Sequence, residues 1–391
     1  MITVAEARAR IVAAMRLQPA ETVPLDGAAG RVLAEDVRAA QDQPPFPVSA
    51  MDGYAVKSGD SGPRRVIGQA PAGHPFVGRV GANEAVHIFT GGVVPDGADT
   101  IVIQENVTRD GDSITFDVAT PPDRHIRGRG LDFVAGETLL AADRRLCAID
   151  LALSAAGGAA ELRVRKKPRI AFAATGDELS RPGSPRKPGG IVASANVGLA
   201  ALVAQWGGEP IDLGILPDTP DAIAALADVK ADLIVTMGGA SVGEHDLIQS
   251  ALGPRGFVAD FWKIAMRPGK PLIFGHLNNT PLLGLPGNPV SALVTALLFL
   301  KPAMAAMLGL PTEPKTQSAR LAAALPANDG REDYLRATRS VRNGEVFVAS
   351  APRQDSSMLK TLARADCLII RPAHAPAAAK GERVTILALP E

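Results

Sequence analysis

Apolar residues recur at Val4, Ala7, Ile11 and Ala14, a three-and-four spacing that lays one greasy stripe along a helix, so residues 3 to 16 read as helical. Val23-Pro24-Leu25 follows as extended chain. From Gln43 to about Val134 the pattern shortens to β-prone runs at 65–67, 85–89, 100–103 and 113–116, parted by Gly and Pro. That rhythm predicts a small β-barrel or sandwich. A helix over 150–156 and a strand over 161–164 then return. They complete the opening unit and make the β-domain an insertion within it.

Beyond Pro168 strands (169–174, 210–213, 232–237) alternate with helices (197–205, 221–227 and about 244–252), followed by strands near 261–266 and 271–274 and a helix over 289–300. Alternation at this spacing predicts a mainly parallel α/β sheet covered on both faces, which binds ligands beyond the carboxyl ends of its strands. The tail is β-rich again at 345–348, 367–370 and 383–387, and reads as a β-barrel-like domain. The expected divisions are 1–42 with 135–165, 43–134, 166–312 and 313–391, and 391 residues suffice for four such units.

Composition narrows the chemistry. Apolar residues make up 46% and charged residues 21%, globular usage that excludes a disordered chain. Forty-one basic and 41 acidic residues cancel, so no overall field favours nucleic acid or an anionic membrane, and any anion site must be local. The two cysteines, Cys147 and Cys367, cannot make a disulfide framework or a zinc cluster, which fits a cytoplasmic setting. Glu6, Arg8 and Arg10 interrupt the first helix, so it is not read as a signal peptide. The greasiest run, Val290 to Leu300, meets Lys301-Pro302 short of the roughly 20 residues that span a bilayer. A buried helix, not a membrane segment, is expected. The six histidines show no metal-ligand spacing.

Four loops fall at the expected binding edge. Gly238-Gly239-Ala240-Ser241 leads to Asp246; glycines let backbone N–H groups approach a phosphate, and a nearby carboxylate can hold a bridging magnesium ion. An ordinary glycine turn with a helix-capping acid is the alternative. Thr175-Gly176-Asp177-Glu178 places two carboxylates at another strand end, with Glu178 the favoured site residue. Pro286-Gly287-Asn288-Pro289-Val290-Ser291 opens the greasy helix, with Pro289 suited to its first position. Arg267-Pro268-Gly269-Lys270 brings two cations to the same crevice, suiting an oxyanion. In the β-insertion, Asp52 precedes Gly53, by itself a turn former.

Taken together, Ser49 to Val56, Phe89 to Glu105, Thr175 to Leu179, Gly238 to Asp246, Lys263 to Pro271 and Gly284 to Ser291 resemble the MoeA family, the molybdopterin molybdenumtransferases related to gephyrin and plant Cnx E domains. Ala72-Gly73-His74-Pro75-Phe76 and Arg127 with Gly130 and Asp132 match the family too. The resemblance implies a four-domain homodimer that inserts molybdate into adenylylated molybdopterin, releasing AMP and molybdenum cofactor with the help of magnesium. It implies catalytic roles for Asp52, Glu178, Asp246 and Lys270, with Glu178 and Asp246 at the metal. Asp218 joins the nucleotide end, Thr90 accompanies Asp52 from the partner subunit, and Lys270, Ser291, Arg336 and Ser356 stand where the family receives molybdate. The molybdopterin-adenylating enzyme and molybdoenzymes are the partners such an activity would meet.

Two departures stand out: Arg267 replaces a frequent lysine, which keeps charge but changes donor geometry, and Ile191-Val192-Ala193-Ser194-Ala195-Asn196 lacks the family's acid, leaving Ala193 without a role. Rival readings are the adenylylating step, which normally uses Thr-Gly-Gly-Thr-Gly in a much shorter chain, and a pterin-binding scaffold without turnover.

Overall fold

A strand covered on both faces has no polar side to show, and the unbroken apolar run Ile170 to Ala174 is buried throughout. It belongs to a six-stranded sheet built from Arg169–Thr175 (β1), Glu209–Leu216 (β2), Leu233–Met237 (β3), Phe257–Trp262 (β4), Ile273–Leu277 (β5) and Thr280–Leu285 (β6). The sheet runs in the order β2-β1-β3-β6-β5-β4. The first four are mutually parallel, while β5 and β4 close the edge antiparallel. The computed structural model describes residues 1–186, 188–239 and 247–390.

The chain divides into two units, residues 22–164 and residues 1–21 with 165–391. In the second, helices Val4–Ala13 (α1) and Ser194–Gln205 (α2) share one core with the sheet face that carries Phe172 and Val235, whereas Pro220–Ala224 (α3) and Leu247–Leu252 (α4) cover the face that carries Ile234. Sequence grouping placed α1 with residues 135–165. Its stripe of Val4, Ala7 and Ile11 is instead buried against the α/β core, because an apolar stripe settles on the largest complementary face within reach.

Other boundaries also differ. The strand expected at 261–266 lies at Phe257–Trp262, and the strand at 271–274 is the first arm of a hairpin whose second arm, β6, the periodicity did not reveal. Asn278 takes φ 54° at that turn, the left-handed geometry a two-residue hairpin asks for. The helix expected to stop at Leu300 runs on: Pro289–Thr295 (α5) passes through a π turn, Ala296–Leu300, into Lys301–Met307. The π turn shifts the hydrogen-bond register where Pro302 has no N–H to give. This stretch, Pro289–Met307, has the length and hydropathy of a bilayer span, yet 78% of it is buried inside the protein.

Strands Thr316–Leu321 (β7), Glu332–Arg342 (β8), Glu345–Ser350 (β9), Cys367–Arg371 (β10) and Arg383–Ala388 (β11) pair in the ring β8-β9-β7-β11-β10, closed by β8 with β10, as the expectation of a barrel-like tail requires. The two-residue strand Met266–Arg267 adds to this ring rather than to the α/β sheet, in parallel register with Glu332 and Asp333. In the unit of residues 22–164, Gly53–Val56 lies between Thr100–Ile103 and Glu84–Ile88 in a six-stranded sheet.

Candidate active site

Because β1, β3 and β6 are parallel neighbours, with Ala174 beside Met237 and Met237 beside Leu285, the loops that follow them emerge at one edge. Strand order then sorts their chemistry. Asp218 follows β2 and Glu178 follows β1, the glycine loop follows β3, and Asn288 and Ser291 follow β6. Carboxylates therefore enter from one side and hydroxyl and amide groups from the other. A cavity of about 990 Å³ receives them, lined by Glu178, Asp218, Gly238, Gly239, Arg267, Lys270, Pro286, Gly287, Asn288, Pro289, Ser291 and Ser356. Ala193 lines it as well. Ser241 and Asp246 lie outside the described residues.

Glycine is required here by backbone conformation and, at Gly238, by close approach to neighbouring backbone. Gly176 has φ +153°, and a Cβ built on it would lie 2.6 Å from the Glu178 carboxylate. Gly238, at φ +99°, leaves no room between itself and Thr175, whose carbonyl oxygen would stand 2.7 Å from a Cβ. Gly238 N–H donates to Leu285 C=O at 3.1 Å, so the β3 and β6 loops are bonded together.

On the carboxylate side, Asp218 N–H donates to Asp177 Oδ1 at 3.3 Å. Partial desolvation first, then the charges of Asp177 and Glu178, push the Asp218 carboxyl above its ordinary range. Clustered negative charge of this kind fits a hard divalent cation, which takes one or two carboxylates and completes its shell with substrate phosphates. Among the described residues no three acidic, His or Cys groups form a ready-made metal cage.

The cations differ from the expectation. Arg267 donates through Nη2 to Asp329 and its Nε lies 3.3 Å from Asp333 Oδ1, so two carboxylates already occupy its guanidinium. Lys270 forms no ion pair among the described residues and stands exposed on the cavity wall. Its loop is fixed, since a Cβ at Gly269 would lie 2.4 Å from Thr295 Cγ2. Asp329 also holds Arg331 at 2.8 Å. That bond is the first cause of the Asp329 carboxyl falling to about 2. Arg331 faces the cavity and escaped the sequence reading; the Asn328-Asp329-Gly330 turn before β8 was its only signal.

Arg336 is not on the wall. It is 1% exposed, beneath the loop that carries Ser356, and its Nη2 donates to Asp355 C=O at 3.0 Å. Ser356 does face the cavity and accepts a hydrogen bond from Asn288 Nδ2 at 2.9 Å. Val290 N–H donates to Ser356 C=O at 3.3 Å. The C-terminal barrel thus meets the start of α5 through Ser356.

Asp52 and Thr90 lie in the other unit. Asp52 Oδ1 accepts from Thr90 N–H at 2.7 Å and from its hydroxyl at 2.8 Å, and the N–H bond foremost holds the carboxyl below its ordinary value. Gly53 is a strand residue whose Cβ would stand 2.0 Å from Val102 C=O. It serves close strand approach rather than a flexible turn.

Comparison with known proteins matches three successive stretches of the chain. Residues 2–158 match the MoeA N-terminal region (domains I and II), residues 171–306 a probable molybdopterin binding domain, and residues 318–389 the MoeA C-terminal region (domain IV). The molybdopterin molybdenumtransferase of Haemophilus influenzae is 36% identical over 99% of this chain and 98% of its own length. That of a Nostoc species is 36% identical over 95% and 89%. The crystal structure of the molybdopterin biosynthesis MoeA protein of Pyrococcus horikoshii superposes with a TM-score of 0.86 at 28% identity, covering both chains fully.

Proposed function

The chain belongs to the MoeA family, and from that premise we propose that its cavity binds adenylylated molybdopterin and molybdate and yields AMP and molybdenum cofactor. Its place is in molybdenum cofactor biosynthesis, as a molybdopterin molybdenumtransferase. The observation that carries the reading is the sorting of charge within one cavity, with Glu178 and Asp218 on the β1–β2 side and Lys270, Ser291 and Ser356 among its other walls.

A phosphate bond can be cleaved only where developing negative charge is met by fixed donors or cations. Gly238 and Gly239 line the cavity after β3, and residues without side chains let a phosphate come close to the backbone. Glu178 and Asp218 would hold a magnesium ion, which when bound would offset the charge of the substrate phosphates. Molybdate is a dianion whose oxygens need charged and hydroxyl donors. Lys270 supplies the charge, Ser291 and Ser356 supply hydroxyls, and Asn288 fixes the second of these by its bond to Oγ. Arg267 shapes the wall, its charge being engaged by Asp329 and Asp333.

We propose also that the protein acts as a homodimer in the cytoplasm, with Asp52 and Thr90 taking part in the reaction. Sedimentation at micromolar concentration tests the dimer. The decisive experiment is reconstitution with adenylylated molybdopterin, molybdate and magnesium. AMP release that requires molybdate is expected, and a folded protein that binds the nucleotide without turnover would overturn the enzymatic reading in favour of a scaffold.

A further inference from the structure

Ser356 belongs to a loop, residues 354–357, and a loop hydroxyl serves as an oxyanion donor only if something holds it. The brace is Gln354, which sequence patterning did not single out. Its Oε1 accepts the N–H of Arg336 at 3.0 Å, while Nε2 donates to the C=O of Arg336 and of Ala351, each at 3.0 Å. Turning the amide over would set its donor against an N–H and its acceptor against two carbonyls, so the orientation is fixed by its surroundings. Below it, the buried Arg336 side chain holds Asp355 C=O, and the Asp355 carboxylate in turn accepts from Ser357 N–H at 2.8 Å and its hydroxyl at 2.6 Å. Asp355 and Ser357 border the cavity too, but their polar groups are bonded to each other within the loop. Ser356 also faces the cavity, and since its Oγ accepts from Asn288, its own proton remains free to donate.

We infer that Gln354 is a positioning residue for the oxyanion site: its three hydrogen bonds to the backbone of β8 and Ala351 fix the loop that presents the Ser356 hydroxyl to molybdate. The inference rests on Ser356 being a molybdate donor. Gln354 also borders the cavity, yet its amide oxygen and nitrogen are spent on the backbone, so it acts through Ser356. A donor displaced by even an ångström loses most of its value in a preorganised site.

The test is a double-mutant cycle with Gln354→Met, which keeps side-chain length while removing the three bonds, and Ser356→Ala. Each single variant should raise the half-saturating molybdate concentration roughly tenfold. The maximal rate and the response to adenylylated molybdopterin should change by less than about twofold. The double variant should be no worse than Ser356→Ala, because a brace without its hydroxyl has nothing left to position. A molybdate curve for Gln354→Met that overlays wild type, or a double variant whose defects multiply, would overturn the inference while leaving Ser356 in place. If Ser356→Ala itself titrates like wild type, the molybdate reading of Ser356 falls, and this inference with it. Gln354→Glu, which retains the acceptor but has no donor, gives the same readout should the methionine variant fold poorly.

Discussion

Lys270→Ala separates the two cations that sequence reading placed side by side. Arg267 is held by Asp329 and Asp333, whereas Lys270 has no ion pair among the described residues and borders the cavity, so the oxyanion should depend on Lys270. Removing a hydrogen bond to a charged group costs about 1.5 to 3 kcal/mol, or roughly a tenfold to hundredfold loss of affinity. Lys270 is exposed, and water lowers the worth of such contacts. The expected rise in half-saturating molybdate is therefore about tenfold, at the lower end. Initial rates of AMP release at saturating adenylylated molybdopterin and magnesium, measured over a molybdate series, give the number. Arg267→Ala should move that curve by less than about threefold but lower the melting temperature, since Asp333, only 7% exposed, would keep its carboxyl with a cation removed. Overlapping molybdate curves for Lys270→Ala and wild type, or a larger shift in Arg267→Ala, would refute the assignment.

The remaining predictions concern the carboxylate side. Gly176→Ala should cost about 1 to 3 kcal/mol of stability through its positive φ, since the φ is +153°; a thermal melt lowered by several degrees is expected, and an unchanged melt would show that the loop relaxes freely. It should also depress turnover, because the new methyl displaces the Glu178 carboxylate. Asp218→Asn should stabilise the ligand-free protein at neutral pH. The folded carboxyl is raised, so its ionisation opposes folding above that raised value, and the penalty vanishes as pH falls below the ordinary carboxylate range. Melts of wild type and Asp218→Asn should thus converge in acid, and stabilisation by added magnesium should shrink in the variant.

The sequence by itself determined the element types, because periodicities of two and of three-to-four are local properties of the chain. It placed the first three parallel strands of the α/β domain and the helices between them, though not β6, together with the barrel-like tail and the glycine, proline and acidic loops, and the combined motifs carried the MoeA resemblance that full-length relatives bear out. Tertiary structure alone decided the relations between distant segments. Only the ring of β8 explains why Met266–Arg267 leaves the α/β sheet and why Arg267 meets Asp329 and Asp333, more than sixty positions downstream. Pattern cannot tell an arginine facing an open cleft from one beneath a loop. Arg336 is buried because Asp355 and Gln354 fold over it, a consequence of strand pairing. Nor does spacing reveal that Gln354 is spent on backbone bonds or that Asn288 reaches Ser356. Those contacts depend on how the barrel closes, and closure is set by pairings between residues far apart in the chain.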